Sequence, residues 1–295
     1  FNAVGLESTF DTRRDYRTML FTTPGLNQYI NGVILFTETL AQSTREGEPL
    51  VEILSGNGML PGVKVDLGTV DMEGYEGEKV TLGLDGMRER LDTYKEQGAV
   101  FAKDRVIYVI GDGKPSEANV QANANHLAQY AKNCHESGLV PIVEPEVLRA
   151  GDHSIDACYS ATRRVLNAVF EQLSLLDVDL KGVVLKPNMV TVGADNIGGE
   201  VLGDVPRYTV GVLEQQVPEN VAGIAFLSGG LSDEAVTGYL NDMNATYDTP
   251  WPLSFSFGRA LQRSALQAFS EGGPSAIIEG QRRLFNRAKE SAMAT

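Results

Sequence analysis

The chain is poor in the side chains that hold metals and disulfides. Its 295 residues include two cysteines, Cys134 and Cys158, and three histidines, His126, His135 and His153. None stands at the spacing of a zinc or haem site, so no metal site and no cofactor are expected. The cysteine usage fits a reducing compartment better than a disulfide scaffold. The histidines read as surface or helix-packing residues. The one tryptophan, Trp251, reads as packing. Positive charge is also scarce: 25 Lys+Arg against 39 Asp+Glu give a net charge of -14. That argues against a broad nucleic-acid or anionic-membrane surface. A small anion can still be bound where a few basic residues converge. No apolar run is long enough to span a bilayer, and no signal peptide is visible. A nucleotide-binding G-x-G-x-x-G after a strand is missing: Gly111-Asp112-Gly113 reads as a turn, and Gly56-Asn57-Gly58 precedes a strand. The sequence opens on Phe1 rather than methionine, so a processed product with a segment removed upstream is an expectation.

What is present is a rhythm. Seven short apolar runs end in polar or Gly/Pro punctuation: Gly32–Phe36, Leu60–Asp66, Phe101–Ile110, Leu139–Glu144, Gly182–Lys186, Gly223–Leu227 and Pro252–Phe257. Such runs read as strands buried on both faces. Helical patterns lie between them, over Leu84–Gln97, Ser116–Ser137, Ser154–Leu176, Asp204–Gln216, Ser232–Asn244, Gly258–Ser270 and Ala276–Ala294. A polar helical stretch, Glu7–Leu20, precedes them and is broken by Pro24-Gly25. Asp195–Gly203 reads as a Gly-rich, mobile loop. Strand–helix alternation at roughly 30–45-residue spacing means βα units on a parallel sheet. No composition shift or linker divides the chain, so residues 1–295 form one domain. A (β/α)8 TIM barrel needs eight strands, and seven are visible.

In a barrel the reactive groups stand at the C-terminal ends of the strands. Those ends carry Lys64 and Asp66; Lys103 and Arg105; Glu144-Pro145-Glu146; Lys186; Ser228-Gly229-Gly230; and Ser256-Phe257-Gly258-Arg259. Alternation puts Lys103 and Arg105 on one face with Asp104 on the other, and pairs Glu144 with Glu146. If Lys103 and Lys186 both point inward, each disfavours charging the other, and burial pushes the same way. A neutral lysine attacks a ketone to form a Schiff base. Glu144 is placed to move protons during carbinolamine formation and dehydration. An internal salt-bridge network is the plainer reading of the same residues. The Ser228-Gly229-Gly230 turn offers an anion-binding nest, and Gly258-Arg259 opens a helix with a guanidinium that can grip a phosphate. Arg13-Arg14 reads as a solvated face with a phosphate contact as the alternative.

These residues resemble class I fructose-bisphosphate aldolases of the eukaryotic type. The resemblance rests on Gly32-Val33-Ile34-Leu35-Phe36, Gly62-Val63-Lys64-Val65-Asp66, Phe101-Ala102-Lys103 with Arg105, Pro141 to Glu146, Leu185 to Val190, Phe226 to Gly230 and Phe255 to Gln262. They run in the family's order over nearly the whole chain. The resemblance implies a (β/α)8 barrel that reversibly cleaves fructose 1,6-bisphosphate without a metal, usually as a homotetramer. It gives Lys186 as the Schiff-base lysine, Glu144 as the proton-transferring glutamate and Lys103 as the second active-site lysine. Ser228, Gly229, Gly230, Ser256, Gly258 and Arg259 match the site for the ketose C1 phosphate. Lys64 matches a residue near the other phosphate, Arg105 a basic neighbour, and Arg13 an arginine near substrate.

Two departures stand out. The family's first strand ends in an Ala-Asp-Glu-Ser-like motif whose aspartate is the base for C–C cleavage, and neither strand nor aspartate is in this sequence. That gap accounts for the eighth strand, which is expected to precede these residues. The family's tail ends in a tyrosine that reaches the active site, whereas here the last tyrosine is Tyr247. A smaller departure is Asp104, where the family commonly has tryptophan. The expected partners are small sugar phosphates, with no nucleic acid and no membrane, and the expected location is cytoplasmic, with a plastid left open. The rival readings are a non-catalytic aldolase-like scaffold, motivated by the absent aspartate, and an aldolase preferring sedoheptulose 1,7-bisphosphate or fructose 1-phosphate.

Overall fold

The computed structural model describes residues 1–198 and 204–295, so part of the loop expected over Asp195–Gly203 lies outside the described residues. The strands are β1 (Gly32–Leu35), β2 (Leu60–Lys64), β3 (Thr69–Asp71), β4 (Lys79–Thr81), β5 (Phe101–Tyr108), β6 (Val140–Val147), β7 (Val184–Leu185), β8 (Gly223–Phe226) and β9 (Leu253–Phe255). The helices are α1 (Phe10–Phe21), α2 (Thr37–Leu40), α3 (Leu50–Gly56), α4 (Met87–Glu96), α5 (Glu117–Ser137), α6 (Ile155–Leu175), α7 (Asp204–Gln216), α8 (Asp233–Thr246), α9 (Arg259–Ser270) and α10 (Gly273–Ala292).

Seven strands form one parallel sheet in the order β1-β2-β5-β6-β7-β8-β9, each a run expected from the sequence. Neighbours in sequence are neighbours in space, which a right-handed crossover through each helix produces. The sheet curls, and the helices cover its outer face. Register aligns the strand ends that matter: Lys64 lies opposite Lys103, and Arg105 opposite Glu144. A close approach holds β2 and β5 together. A Cβ on Gly62 would stand 2.0 Å from the Phe101 ring, so no larger residue fits there. The antiparallel hairpin of β3 and β4 was not expected; it leans on β5 through the Thr81 hydroxyl, which donates to the Arg105 carbonyl at 2.9 Å.

The long helices begin where the sequence supplies caps. The Oγ of Ser116, Ser154 and Ser232 accepts from the amides of Asn119, Ala157 and Ala235 at 3.2, 3.2 and 3.1 Å. Each cap is worth about 1 kcal/mol. α5 ends at Gly138 in the left-handed region, φ 73°, which glycine adopts without a Cβ clash. Its inner face buries Val120, Ala124, Leu127, Ala131 and Cys134 against β5 and β6. The first and last helices also meet. Gly280 of α10 leaves room for the Met19 thioether of α1, and the Gln281 amide donates to the Met19 carbonyl at 3.2 Å. No described helix is long and apolar enough to cross a membrane.

Candidate active site

The C-terminal ends of β2, β5, β6 and β7 converge on a buried cluster of opposite charges. Lys186 follows β7 directly and is only 8% exposed. Its Nζ lies 3.1 Å from Glu144 Oε1. The other oxygen of Glu144 stands 2.8 Å from Lys103 Nζ without making a directed hydrogen bond, so that approach is a charge contact. Glu144 thus bridges the two lysines. Lys103 also faces Asp66 Oδ2 at 3.6 Å, while Asp66 Oδ1 accepts from the Lys64 amine. Asp66 and Glu146, read from the sequence as strand-end residues without an assigned role, both join the cluster. Glu146 holds Arg105 at 2.6 Å. The signal that finds both is period-2 alternation, which places Asp66 beside Lys64 and Glu146 beside Glu144.

Burial governs the charge states here. It holds the Lys186 amine below the ordinary lysine range; Glu144 opposes the shift and Lys103 adds to it. Burial likewise pushes the Glu146 carboxyl above the ordinary carboxylate range, against the pull of Arg105 and with the push of Glu144. Both directions favour the neutral forms. The mutual discouragement of two inward lysines is therefore present, but desolvation is the larger cause.

A cavity of ≈ 320 Å³ opens beside this cluster, and Lys64, Lys103 and Lys186 line it together with Ser256 and Gly258. Its far wall is β1 and the start of α9, so it runs along the interval between the two outer strands of the sheet. Ser256 and Gly258 after β9 line the cavity, whereas Ser228, Gly229, Gly230 and Arg259 are not among its lining residues. Gly229 and Gly230 are left-handed at φ 55° and 85°, and the Leu231 amide donates to the Ser228 carbonyl at 2.9 Å. A Cβ on Gly230 would lie 3.9 Å from Arg259 Nη2, so the glycine turn and the guanidinium share one corner. Arg259 is exposed, and no carboxylate among the described residues pairs with it.

Arg13 is placed differently. On α1, it pairs with Glu38 of α2 and donates to the Ser8 carbonyl at 2.7 Å. It does not line the cavity. His126, read as helix packing, is buried within 3.2 Å of both Asp104 oxygens. Among the described residues, no group of three or more His, Cys, Asp or Glu side chains could hold a metal ion.

A buried lysine–glutamate–lysine cluster at strand ends suits the activation of a carbonyl. The family model described as "Fructose-bisphosphate aldolase class-I" matches residues 1–295. The chain belongs to the class-I fructose-bisphosphate aldolase family. It is 47% identical over 298 residues to cytosolic fructose-bisphosphate aldolase 5 of Arabidopsis thaliana, covering all of this chain and 82% of that protein. It is 45% identical over 294 residues to the "Probable fructose-bisphosphate aldolase class 1" of Xanthomonas campestris, covering all of this chain and 88% of that protein. The solved fructose-bisphosphate aldolase of Plasmodium falciparum superposes with a TM-score of 0.97 at 42% identity, over 99% of this chain and 85% of that one.

Proposed function

We propose that this aldolase-family chain cleaves fructose 1,6-bisphosphate reversibly to dihydroxyacetone phosphate and glyceraldehyde 3-phosphate through a Schiff base on Lys186. The observation that carries the reading is the Lys186 amine, buried, biased toward neutrality and 3.1 Å from Glu144. The neutral nitrogen attacks the C2 carbonyl of the open-chain ketose. Glu144 then protonates the carbinolamine hydroxyl, which leaves as water, and an iminium remains. The C4 hydroxyl loses its proton, the C3–C4 electron pair moves into the iminium, and the aldehyde departs. Protonation of the enamine at C3 and hydrolysis release the ketone and restore the amine. The family resemblance gives the proton of the C4 hydroxyl to an aspartate outside these residues.

Lys103 holds Glu144 in its bridging position and balances its charge. Ser228, Gly229, Gly230, Ser256, Gly258 and Arg259 take the C1 phosphate; the shared corner of Gly230 and Arg259 supports that assignment. Lys64 and Arg105 face the other phosphate, and Arg13 assists from α1 once substrate competes with Glu38. The seven strands are read as seven of a (β/α)8 barrel, the eighth seated between β1 and β9. The cavity along that interval supports the reading. The cytosolic aldolases among the relatives support a cytosolic location. A homotetramer is the assembly we propose.

The test is borohydride reduction of the full-length protein with dihydroxyacetone phosphate, followed by peptide mapping. The adduct is expected on Lys186, together with cleavage of fructose 1,6-bisphosphate in a coupled assay. An adduct on another lysine would sink the mechanism. Higher kcat/KM on sedoheptulose 1,7-bisphosphate or fructose 1-phosphate would reassign the substrate.

A further inference from the structure

Behind the strand that presents Lys103 and Arg105 lies a second buried polar pair, which the reaction above does not touch. Asp104 stands between them on β5 and is fully buried. Alternation sends its side chain away from the cavity toward α5. There His126 Nε2 lies 3.2 Å from both carboxylate oxygens. The same helix makes two more polar ties at matching spacing. Asn119 and Asn123 donate to the Lys79 carbonyl of β4 at 2.8 and 3.0 Å, and Tyr130 donates to the Ile142 carbonyl of β6 at 3.3 Å. Residues 119, 123, 126 and 130 form one stripe of a helix. α5 is therefore tied in turn to β4, β5 and β6. Around Asp104 the remaining titratable groups are Tyr130 and Cys134 of α5, Asp66 beyond β2, and Lys103 on its own strand.

Packing alone does not require this pair. Two apolar side chains would fill the space without taking a carboxylate out of water. What a polar contact of this geometry adds is direction. It fixes the pleat at residue 104, and the neighbours on either side share that backbone. Lys103 reaches Glu144 at 2.8 Å and Arg105 reaches Glu146 at 2.6 Å, contacts that a small rotation of β5 would break.

We propose that His126 is a positioning residue that, through its contact with Asp104, fixes β5 so that Lys103 and Arg105 point into the site. The kinetic part of this inference rests on the aldolase reading; the structural part does not. Three variants test it: H126L, which strands the carboxylate; D104L/H126L, which replaces the pair by apolar packing; and H126Q, which keeps a donor within reach. Each is compared with wild type in fructose 1,6-bisphosphate turnover, thermal unfolding and competitive acylation of lysines read by mass spectrometry. H126L is expected to lose about tenfold or more in kcat with KM changed less than about threefold. Its Lys103, released from Glu144, is acylated faster. H126Q restores most of the turnover. D104L/H126L regains the unfolding temperature but not kcat, an outcome that a purely packing role would not give. Wild-type kcat and wild-type Lys103 acylation in D104L/H126L would overturn the proposal, also where H126L fails to fold. If the wild type does not cleave the sugar, the functional reading fails, and Lys103 acylation in the double variant still decides the positioning role.

Discussion

Two regions at the strand ends are built on opposite principles. At the ends of β2, β5, β6 and β7, each buried charge already has a counter-charge: Glu144 between Lys103 and Lys186, Asp66 beside Lys64, Glu146 on Arg105. At the turns after β8 and β9, Arg259 is exposed beside left-handed glycines, and no carboxylate among the described residues meets it. The first region needs its geometry before substrate arrives, because proton transfer depends on short distances. The second is electrically unfinished, and on the proposed reading a phosphate would complete it. In a chain of net charge -14, an arginine without a carboxylate partner among the described residues is a local cation that an approaching anion would meet.

The strongest way to break this comparison is Glu144→Gln. It leaves two lysines facing a neutral amide, and kcat is expected to fall about 10²–10⁴-fold with little change in KM. A rise in KM alone would mean that Glu144 binds rather than transfers protons. Arg259→Ala comes next. Loss of a charged hydrogen bond, about 1.5–3 kcal/mol, should raise KM roughly tenfold or more. Thermal unfolding should barely move, since exposed substitutions stay within about 0.5 kcal/mol. Arg13→Ala should raise KM less, because Glu38 already engages that guanidinium. A smaller effect is expected for Gly230→Ala, where φ 85° strains any residue with a Cβ by about 1–2 kcal/mol. The result to look for is a modest KM increase that does not add fully to that of Arg259→Ala.

The pH dependence of stability separates the two regions more finely. The Lys186 amine titrates below its unfolded value, so between the two values the unfolded chain binds more protons. Stability from this group is lowest below the folded pKa and recovers as pH rises toward the ordinary lysine value of about 10.4. Lys186→Met should remove that slope, whereas Arg259→Ala should leave it intact. Denaturant midpoints measured across that window would show it.

Much of the site was legible because period-2 alternation is short-range. Lys64, Lys103, Arg105, Glu144 and Lys186 fall on the inner side of strands that apolar runs announce. The same rule turned Asp104 away from the cavity but could not name its partner, since His126 lies 22 residues on and across a helix. The hairpin of β3 and β4 was missed for another reason. Thr69, Val70 and Asp71 are all exposed, so no burial pattern marks them as a strand. Lys186 itself falls just past the two paired residues of β7, shorter than its apolar run suggests, although its amide still donates to the Val143 carbonyl at 2.8 Å.

The meeting of α1 and α10 bears on the shape of the cavity. Met19 seated over Gly280, with Gln281 reaching back to the same turn, joins the first and last helices beside the cavity wall formed by Leu20, Phe21 and Leu284. A larger side chain at residue 280 would push on Met19 and, through the same helix contact, on the Leu20, Phe21 and Leu284 wall, so the shape of the cavity depends on a glycine that never touches it.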